Sequence, residues 1–214
     1  MTESRRPLAS RDTGWAQRIA RWLSGTSLTP NRISQGSILF AAIAFLAFWA
    51  SAYTGTVLTG ALFLLAALAC QFRLLCNLFD GMVAVEGGKS ELDGPFWNEA
   101  PDRAADLLIL TGAGLAIGNL ALGLAASAMA IATAYIRELG RAEGLGSDFS
   151  GPFAKPQRMA AITVGAVLAA LELWLNGTRY TLLVVLWITA LGTGFTVLRR
   201  SARMIAALKD RSGP

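Results

Sequence analysis

The sequence predicts an all-α, polytopic membrane protein of six transmembrane helices with an N-terminal amphipathic juxtamembrane helix. Three observations carry that prediction. The chain of 214 residues is 54% apolar and only 15% charged, well below the roughly 25% charged residues of soluble domains. It contains several uncharged runs near the ~20 residues that a helix needs to cross a bilayer. Its basic residues also fall in alternate connections, as expected when Lys and Arg collect on the cytoplasmic side.

The N-terminal stretch from Met1 to Asn31 is polar and basic, with no apolar core before Ile33. No cleavable signal is expected there, so the first span is expected to act as the insertion signal. Within this stretch, residues 12–24 place Trp15, Ile19 and Trp22 on one helical face and Arg18 and Arg21 on another, the pattern of an interfacial helix. Pro30 then separates one element from the next.

The first span is expected from Ile33 to Tyr53 and the second from about Gly55 to Asp80. The uncharged stretch from Leu107 to Ile136 is too long for one untilted helix. Dividing it near Gly118 and Asn119 gives spans of about 98–117 and 120–142. Two more follow, from Arg158 to Leu175 and from Tyr180 to Leu198.

With this division, all of the 19 Lys and Arg residues except Arg179 fall on one side. Both termini are therefore expected on the cytoplasmic side of an inner, cytoplasmic membrane that the chain crosses several times, and the active site with them. The expected organisation is 1–32 as cytoplasmic tail with interfacial helix, 33–205 as the six-helix transmembrane domain, and 206–214 as cytoplasmic C-terminal tail. The net charge of +5 and pI near 9.8 point to anionic membrane lipids and not to nucleic acid, because the cations flank helix ends. Cys70 and Cys76 lie within an apolar run and read as packing residues.

Acidic residues are distributed very unevenly. Seven of the 14 Asp and Glu fall between positions 80 and 106: Asp80, Glu86, Glu91, Asp93, Glu99, Asp102 and Asp106. Asn77, Asp80, Gly81 and Ala84 share one helical face of the second span, and Asn98, Asp102 and Asp106 share one face of the third. Two polar stripes can thus face each other at the cytoplasmic end of a helix pair. A carboxylate at membrane depth is costly unless it is paired or bound to a cation, which makes these residues functional candidates. Hard divalent ions take such oxygen ligands.

The residues NLFDGMVAV (Asn77 to Val85), eight more, then GPFWNEAPD (Gly94 to Asp102) resemble the signature of the CDP-alcohol phosphatidyltransferases. That signature is DxxDGxxAR, about eight residues, then GxxxDxxxD. Asp80, Gly81, Ala84, Gly94 and Asp102 agree in type. Asn77 and Asn98 stand where the family has aspartates, and Val85 where it has arginine. Similarity extends to the TPN at Thr29 to Asn31, YIRELGR at Tyr135 to Arg141, and GPFAKPQRM at Gly151 to Met159.

The resemblance implies transfer of a phosphatidyl or similar phosphoryl group from a CDP-linked lipid such as CDP-diacylglycerol to an alcohol, releasing CMP, in phospholipid biosynthesis. It implies a Mg²⁺ or Mn²⁺ site at Asp80, Asp102, Asn77, Asn98 and Asp106, with Asp102 as general base. It implies substrate contacts from Gly81, Ala84, Gly94, Arg137, Lys155 and Arg158, a phosphorylated acceptor fitting the last three, and a homodimer. Phosphoryl transfer needs in-line positioning and charge neutralisation more than covalent chemistry, so such a site suits it.

The three departures weaken the expected metal field and remove one phosphate contact. Arg73, one turn before Asn77, either replaces that contact or snorkels to the headgroups. Asn98 is a ligand or a helix N-cap. Arg199, Arg200 and Arg203 read as a flank that stops translocation, and Gly112, Gly114 and Gly118 as close-packing positions. The alternative to an enzyme is a non-catalytic descendant that binds nucleotide or lipid in a structural or regulatory role.

Overall fold

The computed structural model describes residues 11 and 13–211. Asp12 of the expected interfacial helix and Arg5 and Arg6 of the basic tail lie outside the described residues. Seven helices run through the described chain: α1 (Gly14–Ser24), α2 (Pro30–Ser51), α3 (Thr56–Val85), α4 (Gly94–Ala116), α5 (Leu120–Ala142), α6 (Lys155–Asn176) and α7 (Tyr180–Asp210).

Local chemistry accounts for most boundaries. Thr29 caps α2 by accepting from the Arg32 N–H, and Pro30 occupies the first helical turn, where its missing N–H costs nothing. The long uncharged stretch is broken where the sequence indicated. Gly118 takes a positive φ of 70°, and the Asn119 side chain accepts from Leu122 N to start α5.

At the α6–α7 turn, Gly177 adopts φ 70° and Glu172 reaches across. Its two carboxylate oxygens accept from Tyr180 N at 3.0 Å and Thr181 N at 2.8 Å, and the Thr178 hydroxyl also donates to it. Glu172 thus supplies the missing acceptor at the start of α7, a role that sequence periodicity does not reveal.

Helices α2, α3, α5, α6 and α7 are long and apolar enough to cross a membrane. With 23 residues α4 matches α5 in length, but Glu99, Asp102, Arg103 and Asp106 crowd its first half. Its second half is apolar and packs into the core through Ile109, Leu110 and Ala113. Two helices run beyond their expected ends, since α3 continues to Val85 and α7 continues through 206–210.

The six long helices form a closed ring in the order α2, α3, α6, α7, α5, α4, with α4 returning to α2. Accordingly α3 and α4 touch only over a short stretch, and α2 packs along both. Small residues allow close approach. A Cβ on Gly114 would lie 2.7 Å from the Gly123 Cα, and one on Gly112 would lie 3.0 Å from the Phe45 Cα. Helices that close make many dispersion contacts, which drive association where lipid offers no hydrophobic contrast.

Helix α1 lies against α3. It buries Ala16, Ala20 and Leu23 on Leu78, Phe79, Met82 and Val83, and Trp15 meets Phe79 edge-on. Ile19 and Trp22 remain exposed, as suits a helix at a lipid headgroup boundary. The described cysteines are both free, with Cys70 in the main core.

Candidate active site

The helix order brings the N-terminal ends of α2, α4 and α6 together with the C-terminal ends of α3, α5 and α7. Among the described residues, the buried charges sit at this end. Asp102, two turns into α4, is 6% exposed. Its Oδ1 accepts from Arg73 Nη2 at 2.9 Å and from Asn77 Nδ2 at 2.7 Å, both on α3. Its Oδ2 is held by Lys155 Nζ from the first residue of α6, and Arg103 Nη1 stands 4.0 Å away. Three cations therefore surround one carboxylate.

Asp80 lies almost one turn beyond Asn77 on α3. It is also buried, and its Oδ2 accepts from Ser34 Oγ on α2 at 2.6 Å while its Oδ1 accepts from Gly81 N at 2.5 Å. One turn beyond Asp102, the buried Asp106 pairs with Arg158 at 2.7 Å. The same guanidinium donates to Thr133 Oγ1 and the Phe153 carbonyl. Glu99 is shared by Arg103 and Arg137, and Arg137 also pairs with Glu138 and lies over the Phe149 ring.

Of the residues singled out in the sequence, Arg73, Asn77 and Lys155 converge on Asp102, with Asp80 alongside Asn77 on α3. Asp106 and Arg158 form a separate pair deeper in the bundle, and Arg137 belongs to the cluster through Glu99. Gly81 and Ala84 are half-buried, whereas Asn98 is exposed and Gly94 faces open space. Asn98 does not cap α4, which begins four residues earlier at Gly94 with Asp93 before it. Pro101 consequently lies inside α4 and leaves the Trp97 carbonyl without its usual helical donor, immediately beside Asp102.

Arg73 does not snorkel, because its side chain is fully buried. Arg200 is no exposed flank either. It is 5% exposed and ties α7 to the Ser150 and Thr133 carbonyls at 2.8 Å each. Gly118 serves a turn and not a packing contact.

Sequence reasoning missed Ser34, whose only signal was its position one turn into the helix that TPN opens. It also missed the connection between α3 and α4, an acidic loop clasped to the start of α2. Asn31 donates to Glu91 and Asp93, Trp97 donates to Asp93, and Lys89 reaches the Thr26 carbonyl.

The donor set does not fit a divalent cation. Such an ion seeks several anionic oxygens, and among the described residues no three Asp, Glu, His or Cys side chains stand together as ligands. Both oxygens of Asp102 are committed to cations, and Asn77 and Asn98 bring no charge. A doubly charged ion would have to sit against a guanidinium buried with no exposure and an ammonium on the same carboxylate. At short range in a poorly polarisable interior that repulsion is worth several kcal/mol.

No family model and no curated protein matches the chain. Solved structures do. A crystal structure of Mycobacterium tuberculosis phosphatidylinositol phosphate synthase with CDP-DAG bound matches with TM-score 0.74 at 21% identity, covering 88% of this chain and 92% of that one. The same enzyme in complex with manganese and citrate matches with TM-score 0.74 at 21% identity, covering 88% of each chain. Its apo form matches with TM-score 0.68 at 21% identity, covering 86% of this chain and 93% of that one. The chain therefore shares the fold of that synthase over nearly its whole length.

Proposed function

We propose that this chain is a six-span protein of the cytoplasmic membrane, with α4 as the sixth span. In this reading it binds a CDP-linked lipid at the charged end of the bundle and transfers the phosphatidyl or similar phosphoryl group to an alcohol. The observation that carries it is the convergence of Arg73 and Asn77 from α3, Asp102 from α4 and Lys155 from α6 at one end of an apolar bundle. That bundle has the fold of a protein crystallised with CDP-DAG. The cytoplasmic placement of this end rests on the one-sided distribution of Lys and Arg. A homodimer and a phosphorylated acceptor, the latter suited to Arg137, Lys155 and Arg158, belong to the same reading.

The chemistry follows from the contacts. A phosphate entering the cluster competes with Asp102 for the Arg73 and Lys155 donors. As those hydrogen bonds move to phosphate oxygens, a carboxylate oxygen of Asp102 is released to accept the proton of the acceptor hydroxyl. The alcohol oxygen then bonds to the phosphorus next to the lipid, the bridging P–O bond of the diphosphate breaks, and CMP departs with the electron pair. Cations already fixed around the reacting phosphates stabilise the charge that develops there without reorganisation.

One observation favours a second reading, a non-catalytic binder of nucleotide or lipid. Both Asp102 oxygens are held by cations, so a ligand that failed to displace them would bind without reacting. Release of CMP from CDP-diacylglycerol by the purified protein, across a panel of free and phosphorylated alcohols, tests the choice. Turnover with any acceptor upholds the transferase. Binding of CDP-lipid without CMP release from any of them establishes the second reading.

A further inference from the structure

The ion pairs around Asp102 form one connected network, and its sign is informative. Starting from Asp102, pairs lead to Arg73, Lys155 and Arg103. From Arg103 they lead to Glu99 and Arg137, and from Arg137 to Glu138 and Arg141. Among the described residues this joins five cations (Arg73, Arg103, Arg137, Arg141, Lys155) to three carboxylates (Glu99, Asp102, Glu138), an excess of two positive charges. The most deeply buried of the five is Arg73. Only one of its guanidinium nitrogens is used in the pair with Asp102, and its Nε and Nη1 are buried with no hydrogen-bond partner.

Leaving buried donors unsatisfied forfeits their hydration with nothing in return, and an isolated guanidinium in this setting is among the most expensive groups to bury. Even with the buried Asp80 alongside, the cluster keeps a net positive charge, and with the spare donors of Arg73 it is complementary to an anion rich in acceptor oxygens. A bridging diphosphate is such a group. The two neutral amides, Asn77 and Asn98, further reduce what a metal could gain, whereas Asn77 can still donate to a phosphate oxygen.

We infer that Arg73 and Lys155 stand in for a divalent cation, so that this protein holds the diphosphate of a cytidine ligand with fixed side-chain cations and needs no metal to do so. This rests on the CDP-lipid reading above and specifies how the ligand's charge is neutralised. Asp102 then keeps the two cations oriented until the phosphates arrive. Arg73 is suited to this because its planar fork can satisfy two oxygens at once.

The test is binding of CDP, and in parallel of CDP-diacylglycerol, to the full chain in detergent or nanodiscs, by calorimetry or filter assay, in EDTA and in Mn²⁺. Mn²⁺ alone is titrated against the protein by electron paramagnetic resonance. The expected result is the same CDP affinity in EDTA as in Mn²⁺, and no protein-bound Mn²⁺ below millimolar concentration. Lys155→Gln, at a half-exposed helix start, and Arg73→Gln, which keeps a polar group on Asp102, are expected to weaken CDP binding in EDTA by about tenfold or more. Their folding is checked by gel filtration and melting.

The triple variant Asn77→Asp, Asn98→Asp, Arg73→Ala restores anionic oxygens and removes the buried cation. It is expected to acquire Mn²⁺ binding that the unaltered chain lacks. CDP binding that vanishes in EDTA and returns with Mn²⁺ overturns the inference while leaving the CDP-lipid reading intact. Absence of CDP and CDP-lipid binding in both conditions overturns both. Unchanged EDTA binding in well-folded Lys155→Gln and Arg73→Gln proteins overturns the assignment of those two side chains.

Discussion

The two ends of the bundle solve the same problem by different means. At the far end, the turns around Ile117–Asn119 and Gly177–Tyr180 satisfy their backbone groups locally. A positive-φ glycine sits in each turn, Asn119 caps α5, and Glu172 caps α7. The charges there serve helix termini, and Arg179 adds a bond to the Ala116 carbonyl at the limit of hydrogen-bond distance, 3.5 Å. At the charged end, carboxylates and cations are drawn off the termini into the space between helices, where Asp80, Asp102, Asp106, Arg73, Arg158 and Arg200 are all buried. Burying so many charges is a poor way to stabilise a protein, because desolvation offsets most of the attraction. On the proposed function, the contrast separates a structural end from one shaped for a ligand.

The sharpest break of this comparison is Asp102→Asn. It keeps the shape but removes the proton acceptor, and turnover measured as CMP release is expected to fall by about 100-fold or more. Retained turnover would mean that the charged end does not use this carboxylate in chemistry. Next in size is the deeper pair. Asp106→Asn or Arg158→Met leaves one buried charge unmatched and is expected to cost about 3–5 kcal/mol of stability, read as a fall in melting temperature of the detergent-solubilised protein.

Among positions that carry no charge, Gly114→Ala drives a methyl group into the Gly123 backbone and should destabilise the α4–α5 contact by about 1–3 kcal/mol. Glu172→Gln, at the far end, should cost about 1 kcal/mol through the weakened cap and leave CDP binding and CMP release unchanged. Altered binding there would erase the distinction between the two ends.

The smallest effect belongs to Asp148 in the connection between α5 and α6. Burial raises its carboxyl, but hydrogen bonds from Ser150 and the charges of Arg203 and Arg200 outweigh this and hold its pKa below the ordinary carboxylate value. Its stabilising contribution is therefore complete above that ordinary value and is lost as pH falls through the lowered one. Because its pair with Arg203 is partly solvated, Asp148→Asn should shift stability at neutral pH by about 0.5 kcal/mol or less. The shift should disappear in strongly acidic buffer.

Much of this was legible along the chain. The uncharged runs marked six spans, five of which are helices long and apolar enough to cross a membrane, Gly118 and Asn119 marked the break in the longest run, and the spacing of Trp15, Ile19 and Trp22 marked α1. The crowding of acids between Asp80 and Asp106 marked the charged end. These features depend on residues within a few positions of one another, and helical periodicity alone converts them into faces and ends.

The partners of each charge were not legible. Arg73 meets Asp102 across 29 positions and Lys155 meets it across 53, and Arg200 meets Thr133 across 67. Those pairings exist because the ring lets α3 and α4 meet over a short stretch at this end and sets α6 beside α3 and α7 beside α5. Composition and periodicity determined that this chain is a bundle of apolar helices with acids gathered at one end. The order of helices around the ring decided that Asp102 would be surrounded by cations, since a local pattern fixes which way a side chain points on its own helix but not which helix it will face.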